Sequence, residues 1–244
     1  MSLETQPVLR LTRAELRHAA LVPTPKIAVF DCDGTLWDGD AGLGFMNWSI
    51  EAGLLSRDAS DWIDARHRLY RHGEVSEAAI CGEMVQVYAG LRDDELRRAA
   101  ARYFAAQIEP QIFPEMLALV ADLRAAGTDL WAVSSTNNWV IEEGVRRFGI
   151  GPDRVLAASV QVRDGLITSD LIDVPTGEGK ALALQRAGIP HPDQVYGNSI
   201  HDAAMLALAA RAFPINPTPA LAEIAAQRGW SVYYPDAVLA DHTK

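Results

Sequence analysis

The feature that most constrains the fold is a short apolar run that ends in two acidic residues. Ile27–Phe30 consists of β-branched, aromatic and small apolar residues, which is typical of a strand buried on both faces. Asp31 and Asp33 follow this run directly. A carboxylate at the end of a buried strand is costly to desolvate, so it needs a cation or hydrogen-bond donors beside it. We therefore expect a metal site where this strand reaches the carboxyl edge of a sheet.

Composition and charge narrow the class of protein. The 244 residues include 22 Lys and Arg against 32 Asp and Glu, a formal net charge of −10. Nucleic-acid binding needs a basic surface, so this balance argues against a nucleic-acid partner. Cys32 and Cys81 lack the spacing of a metal site or a disulfide framework, which predicts free thiols in a reducing compartment. Because no secretory signal or membrane-spanning stretch is visible, we expect a cytoplasmic protein.

The pattern along the chain predicts an α/β fold with a helical insertion. From residue 114 onward short apolar strands alternate with helices, which predicts a Rossmann-like, doubly wound parallel sheet. Between residues 41 and 109 the strand signal is almost absent, and helical periodicity predicts four helices. We therefore expect a core domain of residues 1–40 and 110–244, with an N-terminal helical extension at 1–25, and a four-helix domain at 41–109.

Three local signals accompany this prediction. Thr12 and Glu15 have the spacing of a capping box at the start of a helix. Asp164 and Gly165 form the turn of a predicted β-hairpin. Residues 230–234 are predicted to form the last strand of the sheet.

Polar residues follow three of the predicted strands. They are Asp31 and Asp33, then Ser134 and Ser135, then Asn198 and Asp202. The carboxyl ends of parallel strands meet at one edge of a sheet, so we expect these clusters to converge. Lys180 opens a helix and can reach the same edge. Carboxylates suit Mg²⁺, whereas the lysine and the hydroxyl groups suit phosphoryl oxygens.

Taken in order, these motifs resemble those of the haloacid dehalogenase (HAD) superfamily. The similar segments are Asp31-x-Asp33-Gly34-Thr35 for the first motif, Val133-Ser134 for the second, Lys180 for the third and Gly197-Asn198-Ser199-x-x-Asp202 for the fourth. The helical insertion after the first motif resembles the cap of the phosphoserine-phosphatase-like branch. The resemblance implies a phosphomonoesterase that acts on a small phosphate ester beneath this cap.

The resemblance also implies roles for individual residues. Asp31 would attack phosphorus to give an aspartyl-phosphate, and Asp33 would protonate the leaving oxygen and later activate water. Mg²⁺ would be held by Asp31, the backbone carbonyl of Asp33 and the Asn198 side chain, with Asp202 ordering its water molecules. The phosphoryl group would be held by Ser134, Ser135, Lys180, Gly34 and Thr35.

One departure from the family pattern affects the metal site. The fourth motif usually begins Gly-Asp, whereas this chain has Gly197-Asn198. An amide oxygen still binds Mg²⁺, but one negative charge is lost, which predicts weaker metal binding. A phosphate- or ligand-binding protein with weakened catalysis is therefore an alternative to an active enzyme.

A second departure affects the substrate. Asp40 falls where phosphoserine phosphatases hold the substrate amine, but Met84 stands where their carboxylate-binding arginine is expected. Without a cationic partner a substrate carboxylate is poorly held, which disfavours phosphoserine. Trp37 and His201 are the other candidate substrate residues. A phosphocholine- or phosphoethanolamine-type phosphatase is an alternative, with an aromatic cage for a quaternary amine such as that of phosphocholine. The oligomeric state stays open.

Overall fold

A six-stranded sheet forms the centre of the fold in the computed structural model, which describes residues 9–241. The strands are β1 (Ile27–Phe30), β2 (Asp129–Asn137), β3 (Val155–Arg163), β4 (Leu166–Asp173), β5 (Gln194–Gly197) and β6 (Arg211–Pro214). Their order is β4-β3-β2-β1-β5-β6, and every neighbouring pair is parallel except β3 and β4. The prediction of a doubly wound α/β sheet is confirmed.

Strand β1 lies between β2 and β5, and it is buried on both faces. Ala28 and Phe30 join one apolar cluster, whereas Val29 joins another. Successive residues of a strand point to opposite faces, so these two clusters are the cores on either side of the sheet.

The helices are α1 (Arg13–Leu21), α2 (Ala41–Glu51), α3 (Arg57–Arg71), α4 (Glu77–Gln86), α5 (Asp93–Tyr103), α6 (Pro114–Ala125), α7 (Asn138–Val145), α8 (Glu178–Arg186), α9 (Ala203–Leu206), α10 (Pro219–Arg228) and α11 (Asp236–Asp241).

The four helices predicted between the first two strands are all present, as α2 to α5. The first three begin at capping side chains, because Asp40, Ser56 and Ser76 each accept the backbone N–H three residues on. No helix within residues 9–241 is long and apolar enough to cross a membrane. Residues 1–8 and 242–244 of the predicted core domain lie outside the described residues.

Two of the local signals are confirmed. The Thr12 side chain accepts the Glu15 N–H while Glu15 accepts the Thr12 N–H, which completes the capping box. Asp164 and Gly165 have φ angles of 53° and 76°. Two positive φ angles are what a type I′ hairpin turn requires, and this turn joins β3 to β4.

The prediction of a last strand at 230–234 is wrong. Val232 forms an isolated bridge with Arg10, and Tyr233 forms one with Ile215. Since the two residues bridge separate segments of the chain, no continuous ladder forms and the sheet ends at β6.

The hairpin of β3 and β4 is bound to the helical insertion at its turn end. Ile167 accepts the Gly90 N–H and donates its own N–H to Leu91, both at 2.9 Å. Gly165 accepts the Asp93 N–H at 3.0 Å. We call these three backbone hydrogen bonds the hairpin contact. They join the loop between α4 and α5 to the sheet at a point far along the sequence from the insertion.

Candidate active site

A cavity of about 270 Å³ opens where the carboxyl ends of the strands meet the helical insertion. Its walls include Asp31, Asp33, Ser134, Ser135, Lys180, Asn198 and His201 from the core, and Asp40, His67, Tyr70, Glu77 and Met84 from the insertion and its approach. The three polar clusters predicted to converge therefore do so, with Asp202 just outside the wall.

Asp31 lies at the base of this cavity, at the end of the central strand. Its N–H donates to the Tyr196 carbonyl at 2.9 Å, which continues the β1–β5 pairing. Its carboxylate accepts Lys180 Nζ on Oδ1 at 2.7 Å and Thr35 Oγ1 on Oδ2 at 2.8 Å. Burial, followed by repulsion from Asp202, raises the pKa of Asp31 above its ordinary value, although Lys180 opposes this shift. The strand thus presents a desolvated carboxylate fixed at both oxygens.

Lys180 connects Asp31 to a second buried acid. Its Nζ donates to Asp202 Oδ1 at 2.6 Å, while Asp202 Oδ2 accepts the N–H groups of Asn198 and Ser199 at 2.9 Å each. Burial alone would lower the pKa of the lysine, but Asp202 and Asp31 hold it above its ordinary value. Both oxygens of Asp202 are engaged and its side chain is fully buried. Asp202 therefore positions Lys180 and the Asn198 loop, and its role in ordering the water molecules of a bound metal ion stays a prediction.

Asp33 is held by three donors. Its Oδ1 accepts Trp37 Nε1 at 2.7 Å and the Ala41 N–H at 2.9 Å, and its Oδ2 accepts Thr136 Oγ1 at 2.7 Å. Burial, followed by repulsion from Asp40, raises the pKa of Asp33 to about 6. A carboxyl group with this pKa holds a proton in a usable fraction of molecules near neutrality.

Three residues predicted to contact the substrate or its phosphate do not line the cavity. Trp37 is fully buried, and its ring packs against neighbouring aromatic rings while its N–H holds Asp33. The Thr35 hydroxyl donates to Asp31. The Gly34 N–H donates to the Trp37 carbonyl at 2.8 Å, so it is not free for an anion.

Gly34 instead makes room for the Asn198 side chain. Its φ of +74° favours glycine, and a Cβ atom there would overlap with Asn198 Nδ2. This close approach brings the loop after β1 and the loop after β5 together, and it places Asn198 beside the first motif.

The remaining predicted residues do reach the cavity. Ser134 Oγ accepts the Thr136 N–H at 3.1 Å, which leaves its hydroxyl proton for a ligand. Asp40 lines the wall and also caps α2 through Leu43 at 2.8 Å. Met84, Ser135 and His201 lie on the wall as well.

Two functional candidates were missed by the sequence reasoning. Thr136, which holds Asp33, stands in the same polar run as Ser134 and could have been found from it. Glu77 lies on the wall and its Oε2 contacts His201 Nδ1. Nothing in the local sequence of α4 distinguishes Glu77 from an ordinary first-turn acid.

The oxygen atoms at this edge of the sheet suit a hard divalent cation, although few of them belong to carboxylates. Within residues 9–241 no group of three or more His, Cys, Asp and Glu side chains could hold a metal ion. A site at this edge therefore needs the Asn198 amide and a backbone oxygen beside Asp31. All of these donors are oxygens, the ligand type that Mg²⁺ takes. The buried acids also outnumber the one lysine that they surround, so a cation would offset their charge.

Comparisons with known proteins identify a similar phosphatase sequence and similar folds. The chain is 25% identical to a histidinol-phosphatase of Neisseria meningitidis over 217 residues, which cover 84% of this chain and 97% of that protein. A protein of unknown function from Bordetella pertussis has the same fold at a TM-score of 0.76, with 25% identity, covering 86% of this chain and 98% of the other. A substrate-bound phosphoserine phosphatase aligns at a TM-score of 0.57 with 16% identity, covering 86% and 92%.

A family model that matches most of the chain shows to which family the protein belongs. A sequence model described as haloacid dehalogenase-like hydrolase matches residues 28–207, from within β1 to just past α9, and so spans all four motifs. The resemblance predicted from the motifs, and with it the assignment to the hydrolases, is confirmed. The chain belongs to the haloacid dehalogenase-like hydrolase family.

Proposed function

We propose that this protein is a Mg²⁺-dependent phosphomonoesterase that hydrolyses a small phosphorylated metabolite in the cytoplasm. The observation that carries the proposal is the buried Asp31 carboxylate, which lies at the base of the cavity between Lys180 and Thr35. A nucleophilic carboxylate needs a fixed position and little water around it, and both conditions are met here.

The proposed reaction has two steps. The Asp31 carboxylate forms a bond to phosphorus as the ester bond to the alcohol breaks, and Asp33 gives its proton to the leaving oxygen. Water then attacks the aspartyl-phosphate, Asp33 takes up the water's proton, and phosphate leaves with Asp31 restored. The raised pKa of Asp33 and its three fixed hydrogen bonds suit a group that must hold and return a proton.

The phosphoryl oxygens and the metal are assigned to neighbouring residues. Ser134 and Ser135 offer hydroxyl donors, and the Lys180 ammonium offsets negative charge that develops on the phosphoryl group. Asp31, the backbone carbonyl of Asp33 and Asn198 would hold Mg²⁺. When bound, the ion would neutralise phosphate charge at the same edge.

The helical insertion at 41–109 is proposed to act as a cap over the substrate. A cavity of about 270 Å³ is at the small end of ligand sites, which favours a metabolite over a macromolecule. The names of the similar proteins supply two first candidates, histidinol phosphate and phosphoserine. Phosphocholine and phosphoethanolamine complete the set of amine-bearing esters to be assayed.

Turnover of p-nitrophenyl phosphate tests the proposed function. We expect hydrolysis in the presence of Mg²⁺ and its loss when EDTA removes the metal, with recovery on adding Mg²⁺ back. The readout is release of p-nitrophenol. Hydrolysis that persists unchanged in EDTA would contradict the proposed metal dependence.

A second candidate function rests on Asn198. Its neutral amide leaves the predicted metal site one negative charge short of the usual family pattern. A protein that binds a phosphate ester without turning it over is the corresponding alternative. The Mg²⁺ titration below separates the two, because a binding protein would show no turnover at any metal concentration.

Replacing Asn198 by Asp is expected to lower the Mg²⁺ concentration for half-maximal activity by about tenfold, since it adds a charged ligand of the same size. The aspartate is isosteric with asparagine, so the close approach of Gly34 is kept. The measurement is the initial rate with p-nitrophenyl phosphate against Mg²⁺ concentration. An unchanged half-saturating concentration would remove Asn198 from the metal site.

Replacing Asp40 by Asn is expected to move the loss of activity at high pH to a lower pH, by about half a unit. An acid that must be protonated supports turnover below its pKa and fails above it. Removing the Asp40 charge lowers the pKa of Asp33, so the failure comes earlier. The check is kcat/KM against pH with p-nitrophenyl phosphate. Asparagine keeps the α2 cap, so a shift toward higher pH would refute this role of Asp40.

A further inference from the structure

The cavity wall is unevenly charged away from the phosphoryl end. The residues of the insertion and its approach bring two carboxylates, Asp40 and Glu77, and no arginine of the described residues lines the cavity. The one lysine on the wall, Lys180, is already paired with two buried acids. Burial, followed by repulsion from Arg71, lowers the pKa of His67, so this wall residue is mostly neutral at neutral pH. The part of the substrate beyond the phosphate therefore meets acidic groups without a free cationic partner.

Glu77 is the better placed of the two carboxylates to bind that part of the substrate. Its side chain is 18% exposed, whereas Asp40 is an exposed residue whose Oδ1 is engaged in the cap of α2. The contact with His201 involves Oε2, a buried atom that accepts no hydrogen bond from the described residues. Glu77 thus keeps acceptor capacity for a ligand while Oε2 lies against His201 of the core.

The charge of Glu77 affects the pKa values of two neighbouring side chains. Burial, followed by repulsion from Glu77, raises the pKa of Cys81 to about 12 and also raises the pKa of Tyr70. Both side chains line the cavity. The Glu77 carboxylate is therefore close enough to two side chains of the cavity wall to interact with them electrostatically.

We propose that the substrate is a phosphate monoester whose alcohol carries a positively charged nitrogen and no carboxylate, and that Glu77 selects it. A cationic nitrogen gains a partner in Glu77, with Asp40 as a second nearby charge. A carboxylate in the same place would be desolvated beside Glu77 and Asp40, and the nearest imidazole, that of His201, already contacts Glu77, so binding it would be costly. This inference rests on the proposed phosphomonoesterase function, and it favours carboxylate-free esters over phosphoserine.

Three small esters test the proposal because they differ by one group each: phosphoethanolamine, phosphoserine and ethylene glycol monophosphate. The first has the amine alone, the second adds a carboxylate, and the third has neither. We expect kcat/KM to be at least tenfold higher for phosphoethanolamine than for ethylene glycol monophosphate, and lowest for phosphoserine.

The variant Glu77→Gln tests whether Glu77 is the residue that selects the positively charged nitrogen. We expect it to reduce kcat/KM for phosphoethanolamine at least tenfold more than for ethylene glycol monophosphate, because the amide keeps the size and loses the charge. Glu83→Gln is the matched control, since Glu83 lies on the same helix but pairs with Arg66 away from the cavity. That control should leave the ratio between the two esters unchanged. Thermal unfolding of each variant checks that the helix is intact.

The outcomes separate this inference from the function on which it rests. Hydrolysis of none of the three esters nor of p-nitrophenyl phosphate would defeat the proposed phosphomonoesterase. Hydrolysis without preference for phosphoethanolamine, or with phosphoserine as the best substrate, would overturn the substrate class alone. An equal loss for both uncarboxylated esters in Glu77→Gln would assign Glu77 a structural role and overturn its part in selection.

Discussion

Replacing Asp31 by Asn is expected to reduce kcat with p-nitrophenyl phosphate by at least ~10³-fold, because removing a covalent nucleophile typically costs this much or more. The amide is the same size as the carboxylate and still accepts a hydrogen bond from Lys180 or Thr35. Steady-state rates at saturating Mg²⁺ give the measurement. A variant that retains a tenth of the activity would exclude the aspartyl-phosphate.

Stability distinguishes lost chemistry from lost structure in this variant. Burial raises the pKa of Asp31 in the folded protein above that in the unfolded chain. The folded state then binds its proton more tightly, so the free energy of unfolding falls as pH rises from the unfolded pKa through the folded one. The amide in Asp31→Asn cannot ionise, and the variant should lack this decline. Urea unfolding at pH 5 and pH 8 compares the two proteins, and a variant that unfolds more readily at both would make its inactivity uninformative.

Replacing Lys180 by Met is expected to destabilise the protein by about 3–5 kcal/mol and to abolish turnover, because removing one partner of a buried ion pair leaves an uncompensated charge. Lys180 has two such partners, Asp31 and Asp202. Methionine fills a similar volume, so the loss reports charge and not a cavity. The measurement is the urea midpoint of unfolding. An unchanged midpoint would mean that neither acid depends on this lysine.

A double variant keeps the prediction testable if Lys180→Met alone does not fold. Lys180→Met with Asp202→Asn removes one buried charge together with its partner, and the amide oxygen still accepts from the backbone of Asn198 and Ser199. We expect part of the stability to return while activity stays absent. Recovery of activity would show that Lys180 has no part at the phosphoryl group.

The sequence was enough to predict the positions of residues that are placed by the path of the backbone. The apolar run before Asp31 identifies a buried strand. Because the carboxyl ends of parallel strands lie at one edge of a sheet, Ser134 and Asn198 are expected beside it. These positions follow from the two-residue period of a strand and from the order of the strands, and both can be predicted from the sequence pattern. The capping box at Thr12 and the turn at Gly165 belong to the same class, because their partners lie within a few residues.

The sequence did not suffice where a side chain had to choose between partners. Trp37 was predicted to face the substrate because it follows the first motif, yet its ring is buried and its N–H holds Asp33. Asp202 was predicted to order water molecules at the metal, and the contacts of its oxygens with Lys180 and with its own loop were not foreseen. Such choices depend on packing between segments that are distant in sequence, so motif spacing alone does not determine them.

The hairpin contact has a consequence for how a substrate enters. An inserted domain with only its two chain connections can rotate about them, but here the loop between α4 and α5 is also hydrogen-bonded to Gly165 and Ile167 of the sheet. Rotation of the whole insertion would break three backbone hydrogen bonds at once. We therefore expect exchange of substrate and phosphate to proceed through local rearrangement at the rim, where Glu77 meets His201. The cycle time of the enzyme would then depend on side-chain motions there and not on the swing of a domain.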